Sequence, residues 1–393
     1  MRGSISMDSQ YNDSGFSERR AVRPFSVIVI GAGVGGLAIG LCMRKTGHNV
    51  QRRREITEVG AGIQIAPNAS RILRRFGVLE ETMKYATVLE QNSLRRWKDN
   101  EELGSIPLVP DVEDHFGAPL AVIHRADLQR ILLNAARGCG CKILRGHEVV
   151  DTDEQFLPYV NLSILYTRRT SNGAASHVTL LGGFLCAAVN TLYNVVLVRK
   201  ADKEKPRKTS WTTHGEKEEI VEHCRGWCPV IQALIRHAPS SGIMETPMNI
   251  LRPLPTWVKG QMALAGDACH YMKPYVAQGA AAAIEDAGTL AMIFTCTDNI
   301  ELGLEMYQLI RKDRSEIIQA SATNTGHTLH LPDGEEQERR DDSIRAASRG
   351  VGANPDQWSD KKTREFMWQV DVMAETINRF ESLTREVGTN KEK

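Results

Sequence analysis

Apolar and polar positions change period several times along this chain, and each change marks an element. Phe25 to Ile30 is a short β-branched run that predicts a strand. From Gly35 to Lys45 apolar residues recur at helical spacing, with Gly36 and Gly40 keeping one face small, and Thr46-Gly47-His48 stops the helix. "APNASRILRRFGVLEETMKYA" predicts a second helix, with Asn68 as N-cap, Ile72, Leu73 and Phe76 apolar, and a break at Gly77. "HRADLQRILLNAARGCG" predicts a third, with Leu128, Ile131, Leu132 and Ala135 on one stripe and an end at Gly138. Between Cys141 and Lys208 the pattern turns irregular and β-rich, and "RKADKEKPRKTS" reads as a charged loop. Strand alternation returns at "QMALAGDACH", and "AQGAAAAIEDAGTLAMIF" follows as an Ala-rich helix. Strands alternating with helices predict an α/β fold with a mostly β second unit. "EEQERRDD" and "TREVGTNKEK" read as solvated charge in a C-terminal tail.

One stretch allows two structures. Val178 to Val198 carries no charge and is followed by Arg199 and Lys200, which meets the length criterion for a membrane span. Gly182, Gly183, Asn190, Thr191 and Asn194 divide it into two β-rich pieces, which suits a strand pair better than a lipid-facing helix.

Composition narrows the partners. The chain has 393 residues, 41% hydrophobic and 25% charged, enough for one large or two medium domains. With 49 basic and 48 acidic residues the net charge is +1, which gives no case for nucleic acid and favours a small molecule. Among 8 cysteines only Cys139-Gly-Cys141 and Cys224 with Cys228 stand close. Neither pair has a zinc-spaced second pair, so no metal site is expected and the thiols read as reduced core residues of a cytoplasmic protein. Residues 1–24 lack an apolar core and read as a disordered lead-in, with folded structure starting near Phe25.

Gly31-Ala-Gly33-Val-Gly-Gly36 is a GxGxxG pattern directly after a strand and opening a helix. Gly31 permits the tight turn, Gly33 lets backbone approach a pyrophosphate, and Gly36 lets helix and strand pack closely. The pattern calls for an acid about 20 residues on, where Glu55 stands behind Arg52, Arg53 and Arg54. Arginines there either bind the extra phosphate of NADP or mark a distorted, shortened strand. Buried charge is costly, so such a strand is not expected centrally in a sheet.

The segment "MALAGDACHYMKPYVAQGAAAAIEDA" separates the cofactors. A strand delivers Asp267, which can accept hydrogen bonds from a polyol, and a helix opens at Gly279-Ala280, whose N–H groups can face negative charge. A flavin has a ribityl chain to meet that aspartate and a nicotinamide has none. His270 reads as a loop histidine satisfied by backbone.

With these pieces the chain resembles the FAD-dependent aromatic hydroxylases, single-component flavoprotein monooxygenases that include salicylate hydroxylase, and most of all the fungal members. The matching stretches are "VIVIGAGVGGLA", "EVGAGIQIAPNASRILRRFGV", "HRADLQRILL", "LPTWVKGQMALAGDACHYMKPYVAQGAAAAIEDA" and "GHTLHLPDGEEQERRDD", in the family's order. The resemblance implies a Rossmann-like FAD-binding domain from 25–140 and 255–325, an interleaved mostly β substrate domain at 141–254, and a C-terminal helical segment at 326–393. It implies that Gly31, Gly33 and Gly36 hold the ADP pyrophosphate and that Glu55 serves the ribose. Ala61 and Gly62 would lie on the flavin side, Arg125 at the phosphate or ribose, Asp267 at the ribityl chain, and Gly279 and Ala280 at the isoalloxazine carbonyl edge. It further implies that NAD(P)H reduces FAD and that O2 then supplies an electrophilic oxygen to a phenolic or salicylate-like aromatic, in fungal secondary metabolism or aromatic catabolism. Pro274 and the "HYMKPY" loop would border the flavin, with Tyr271 and Lys273 as unusual bulky neighbours. No residue is assigned as catalytic base.

Two departures keep rivals open. The family's ribose glutamate falls on Arg54, and its middle Asp-Gly motif has no counterpart between Val149 and Leu197, where 140–190 looks deleted and rewritten. A catalytically impaired flavoprotein explains both losses. An NADP-dependent dehydrogenase explains the arginines but not the Asp267 segment, and a membrane-attached enzyme would use 178–198 as its anchor.

Overall fold

The computed structural model describes residues 14–53, 62–144, 161–165, 179–184, 194–198, 213–238, 243–245 and 252–391. Strand β1 (Ser26–Ile30) forms because its alternation buries Val27 and Val29 completely. It feeds α2 (Val34–Lys45), which returns to β2 (Asn49–Arg53), parallel to β1 from Ser26↔Asn49 to Ile30↔Arg53. The main sheet has six strands in the order β14-β15-β9-β1-β2-β8. Its other members are β8 (Lys142–Leu144), β9 (Asn161–Leu165), β14 (Val258–Lys259) and β15 (Met262–Leu264). All neighbours run parallel except β14, which pairs antiparallel with β15.

Two expectations change here. The arginine-bearing strand is intact: β2 is paired on both sides, to β1 and to β8. Its arginines come at the carboxyl end, where Arg53 stands level with Ile30, the last residue before the glycine loop. In a parallel sheet that end of the strands opens on a crevice. Secondly, β8 and β9 lie beyond residue 140, in the stretch assigned to a substrate unit, yet β9 sits between β1 and β15. The segment that looked rewritten supplies a central strand.

Smaller sheets flank this one. β3 (Gly62–Ile65), β7 (Ala121–His124) and β4 (Thr87–Val88) form an antiparallel sheet, and β5 (Gln91–Arg95) pairs with β6 (Glu102–Pro107). The uncharged 178–198 stretch yields a hairpin of β10 (Thr179–Phe184) and β11 (Asn194–Val198) whose register shifts between Leu181 and Phe184, as the strand-pair reading expects. Among the described residues no helix is long and apolar enough to cross a membrane. β12 (Thr213–His214) pairs with β13 (Met244–Glu245).

Folded structure starts earlier than Phe25. The short α1 (Ser14–Ser17) carries Phe16, whose ring lies 3.8 Å beneath the Arg75 guanidinium, and Ala21 N–H donates to the Thr46 carbonyl at 2.7 Å. α3 (Pro67–Arg75) and α4 (Leu79–Met83) follow β3, α5 (Asp111–Phe116) follows β6, and α6 (Arg125–Gly138) follows β7. α7 (Lys217–His223) and α8 (Pro229–His237) bury Cys224, Trp227, Cys228, Ile231 and Ile235 in a satellite cluster against Trp97.

After the short α9 (Asp267–His270) comes α10 (Gly279–Ile293), buried from Ala281 to its end. It packs on α2 through small residues, since a Cβ on Gly35 would lie 3.0 Å from that of Ala283. α11 (Ile300–Leu329) is capped by the Asn299 side chain, which accepts from Leu302 N–H. The tail is helical as expected: α12 (Glu335–Ser348), α13 (Lys361–Arg364), α14 (Val372–Asn378) and α15 (Phe380–Lys391). "EEQERRDD" is not wholly solvated, because Asp341 is buried and binds Arg340 at 2.7 Å and Arg96 at 3.4 Å.

Candidate functional site

The glycine loop is a turn made possible by missing side chains. Gly31 has φ 122°, a region that favours glycine. A Cβ on Gly36 would lie 2.5 Å from the Gly31 carbonyl oxygen, so the first turn of α2 can close over the loop only without one. Gly33 caps α2 in extended conformation with no side-chain hydrogen bond, and the first turn has no acid. The first helical bond runs from Leu37 N–H to the Gly33 carbonyl, which leaves the N–H groups of residues 34 to 36 outside the helical ladder. The Ala32 carbonyl is held from outside by Gln129 Nε2 at 2.7 Å.

That bond also places α6. Gln129 lies one turn after Arg125, so the two share a face, and that face meets the glycine loop. Arg125 is the first residue of α6 and half-buried. A cation at a positive helix terminus is unfavourable unless an anion is near. Gly62, the first residue of β3, pairs with His124 immediately before it. Thus Gly62 and Arg125 arrive at one place with the loop of Gly31, Gly33 and Gly36.

The second motif is held by buried charge. β15 leads into Gly266, at φ 61°, whose N–H donates to Asp286 Oδ2 at 2.9 Å. Asp267 then opens α9, half-buried. His270 is completely buried, and its Nε2 lies 2.7 Å from the same Asp286 oxygen. A carboxylate, not backbone, therefore partners the Nε2 of this histidine. The turn returns through Pro274–Val276, a single turn of 3-10 helix, to Ala277 at φ 51°, a left-handed conformation that costs a non-glycine residue about 1–2 kcal/mol. Tyr271 and Lys273 are both partly exposed along this loop, and burial lowers the Lys273 ammonium from its ordinary value. Gly279 and Ala280 open α10 half-exposed, and beside Gly279 a Cβ would meet only Met272, at 3.8 Å.

Behind that turn lies an ion network absent from the sequence expectations. Arg311 of α11 donates from Nε to Asp286 at 2.9 Å and from Nη1 to Glu285 at 2.5 Å, and Arg314 Nη2 donates to Glu285 at 2.8 Å. Asn68 Nδ2 joins Glu285 at 2.8 Å and Gln278 Oε1 at 3.0 Å. Asn68 is therefore not an N-cap; with Pro67 taking the first helical position, Ala66 caps α3 and the Asn68 amide reaches α10. Burial pushes Glu285 up, but Arg314 and Arg311 overcome it and hold the carboxyl down at about 2. Burial acts likewise on Asp286, and His270 with Arg311 holds it at about 2. The signal was in the sequence: an acidic pair inside an apolar helix, and two arginines at i, i+3 in "LIRKDRS".

These residues fit a flavin dinucleotide. A cradle that a Cβ would fill, free helix-start N–H groups and a cation stand at one end, and a fixed aspartate with a second helix start at the other. Glu55 and Ala61 lie outside the described residues, as does the whole stretch 54–61 between β2 and β3.

The model of the FAD binding domain family matches residues 24–160 and 185–322. An FAD-dependent monooxygenase of Arthrinium sp, atnJ, is 29% identical over 394 residues, covering 85% of this chain and 91% of that protein. 3-Hydroxybenzoate 6-hydroxylase 1 of Aquipseudomonas alcaligenes is 29% identical over 331 residues, covering 72% and 81%. In fold the chain is similar to a salicylate hydroxylase solved as a substrate complex, with TM-score 0.66 at 18% identity over 92% of this chain and 98% of that one.

Proposed function

Because the chain belongs to the FAD-binding domain family and to its FAD-dependent monooxygenases, we propose that it hydroxylates a phenolic or salicylate-like aromatic acid at the expense of NAD(P)H and O2, within fungal secondary metabolism or aromatic catabolism. Bound FAD supplies the redox chemistry, accepting reducing equivalents and activating O2. The chain's own residues bind and orient. The N–H groups after Gly33 and the Arg125 guanidinium face the pyrophosphate, where helix dipole and cation both favour an anion. Asp267 accepts hydrogen bonds from the ribityl hydroxyls, and the N–H groups at Gly279 and Ala280 face the flavin's carbonyl edge. Gly62 lines the flavin side, and the ribose role falls to Glu55. The substrate lies beside the Pro274 loop, which borders the flavin.

The observation that carries this reading is the clamp on the Asp267 turn. Asp286 takes both the Gly266 N–H and His270, so the polyol-binding carboxylate is delivered in a fixed position. The test is to purify the protein, record its visible absorbance and follow NADH or NADPH oxidation with a panel of phenolic acids. The expected result is a yellow protein whose turnover rises with a phenolic acid and whose product gains one oxygen. A colourless protein that FAD does not reconstitute would overturn it. The arginines at the end of β2, where the ribose acid belongs, favour a second reading: a flavoprotein that retains FAD yet oxidises no NAD(P)H.

A further inference from the structure

At the far end of α2 from the glycine loop, about 18 Å along the helix, the chain assembles a dithiol that the cofactor site does not use. Cys139-Gly140-Cys141 ends α6 and turns back on it, with Gly140 N–H donating to Arg137 and Cys141 N–H to Ala136. Gly140 has φ 93°, and a Cβ there would lie 3.1 and 3.2 Å from the Nη2 and Nε of Arg44. Only glycine lets that guanidinium lie against the tripeptide, where Arg44 Nε donates to the Cys139 carbonyl at 2.9 Å. Cys139 Sγ lies 3.2 Å from the Ala136 carbonyl and Cys141 Sγ 3.2 Å from that of Gly40, the two thiols standing two residues apart on the same turn. Lys45, whose Nζ donates to the Phe76 carbonyl, adds a second positive charge to their surroundings.

The pair is asymmetric. Cys139 is partly exposed and Cys141 buried. The neighbouring Cys141 thiol outweighs burial, and with Lys45 and Arg44 it holds the Cys139 thiol down at about 7, which favours the thiolate near neutrality. Cys42 behind it is fully buried and pushed up, as burial pushes Cys224 up to about 11. Cys224 and Cys228 are both buried in the satellite cluster and offer no exposed member.

We propose that Cys139 and Cys141 form a peroxide-reactive dithiol, a modification site in which Cys139 attacks and Cys141 resolves. The Cys139 thiolate attacks one oxygen of hydrogen peroxide; the S–O bond forms, the O–O bond breaks, and hydroxide leaves. Cys141 sulfur then displaces the new hydroxyl, which leaves as water with the Cys141 proton. Two thiols lose two electrons in total and one peroxide gains them. The disulfide closes a small ring, a strained type that thiols reduce readily, so the change is reversible. It also draws Cys141 from the Gly40 carbonyl, where α6 meets α2.

The test uses full-length protein freed of reductant and treated with hydrogen peroxide, then digested with trypsin and weighed. The peptide 138–142 is expected to lose two hydrogens and to regain them with dithiothreitol. In Cys141→Ser, dimedone is expected to trap a sulfenic acid at Cys139, and Cys139→Ser should show neither product. Modification at Cys139 should run at least about tenfold faster than at buried Cys224 or Cys269. Circular dichroism of each variant keeps misfolding separate from lost reactivity. For the intact protein, phenylarsine oxide, which bridges paired thiols, should protect the 138–142 peptide. The proposal fails if Cys139 reacts no faster than Cys296, the other partly exposed cysteine described, or if folded Cys141→Ser gives the same products as the parent.

Discussion

At the glycine loop the site is made by leaving side chains out, and at the Asp267 turn by burying charged ones. The loop needs Gly31 for its φ of 122° and Gly36 because a Cβ there would lie 2.5 Å from the Gly31 carbonyl oxygen. The turn needs Asp286, Glu285, Arg311 and Arg314 because a strand end must be fixed against a helix across a dry core. The first holds its shape through local sterics, and any disturbance stays local and strikes binding. The second holds through partners drawn from four elements, so its loss strikes the fold first and the cofactor afterwards.

The largest effect expected is from Arg311→Met. It strips donors from both carboxylates and leaves them buried, which costs about 3–5 kcal/mol in urea unfolding of the FAD-free protein. A loss below about 1 kcal/mol would show that the network is dispensable. Both carboxyls are held below their unfolded values, so their contribution is present above about pH 4 and lost as pH falls toward 2; the variant's acid unfolding should begin at higher pH.

Gly36→Ala should cost less stability, about 1–3 kcal/mol, but weaken FAD at least tenfold by titration, because the loop itself must move. Gly35→Ala, whose Cβ would meet the Ala283 side chain instead, should keep more of its FAD affinity. Equal FAD losses in the two would break the contrast between a binding defect and a packing defect. Gln129→Met removes the amide that holds the Ala32 carbonyl and should cost about 1 kcal/mol, with a several-fold rise in the FAD Kd.

The last effect, confined to a pH window, concerns Asp356, outside both motifs. Burial holds its carboxyl up at about 6 despite hydrogen bonds from Ser359 and the Trp358 and Ser359 backbone. A raised acid is protonated in the fold, so its contribution is present below about pH 4 and lost as pH rises through 6. Asp356→Asn should flatten stability over that window, and an unchanged pH profile would assign the slope elsewhere.

Much of the fold was legible because it is written in local pattern. β1, α2, α6 and α10 follow from alternation, helical spacing and glycine stops, and the strand pair within 178–198 from its uncharged β-rich run, although Gly182 and Gly183 lie inside β10 and Asn194 inside β11 rather than between them. Three features were not legible. β2 reads as damaged because three arginines obscure its period, whereas its place is set by backbone pairing on both sides. β9 carries no motif and is recognised only by the gap it fills between β1 and β15. Asn68 reads as a cap because capping is the local use of an asparagine, yet its partners lie on α10.

The sequence by itself determined that a glycine loop opens one helix and that a strand end delivers Asp267 to a turn, since both depend on residues adjacent in the chain. Tertiary structure alone decided how they are joined. The α6 helix that Arg125 opens is held to the loop because Gln129 docks on Ala32, and Asp267 is fixed because Asp286, Arg311 and His270 meet in a core where an unpaired charge would be too costly to keep.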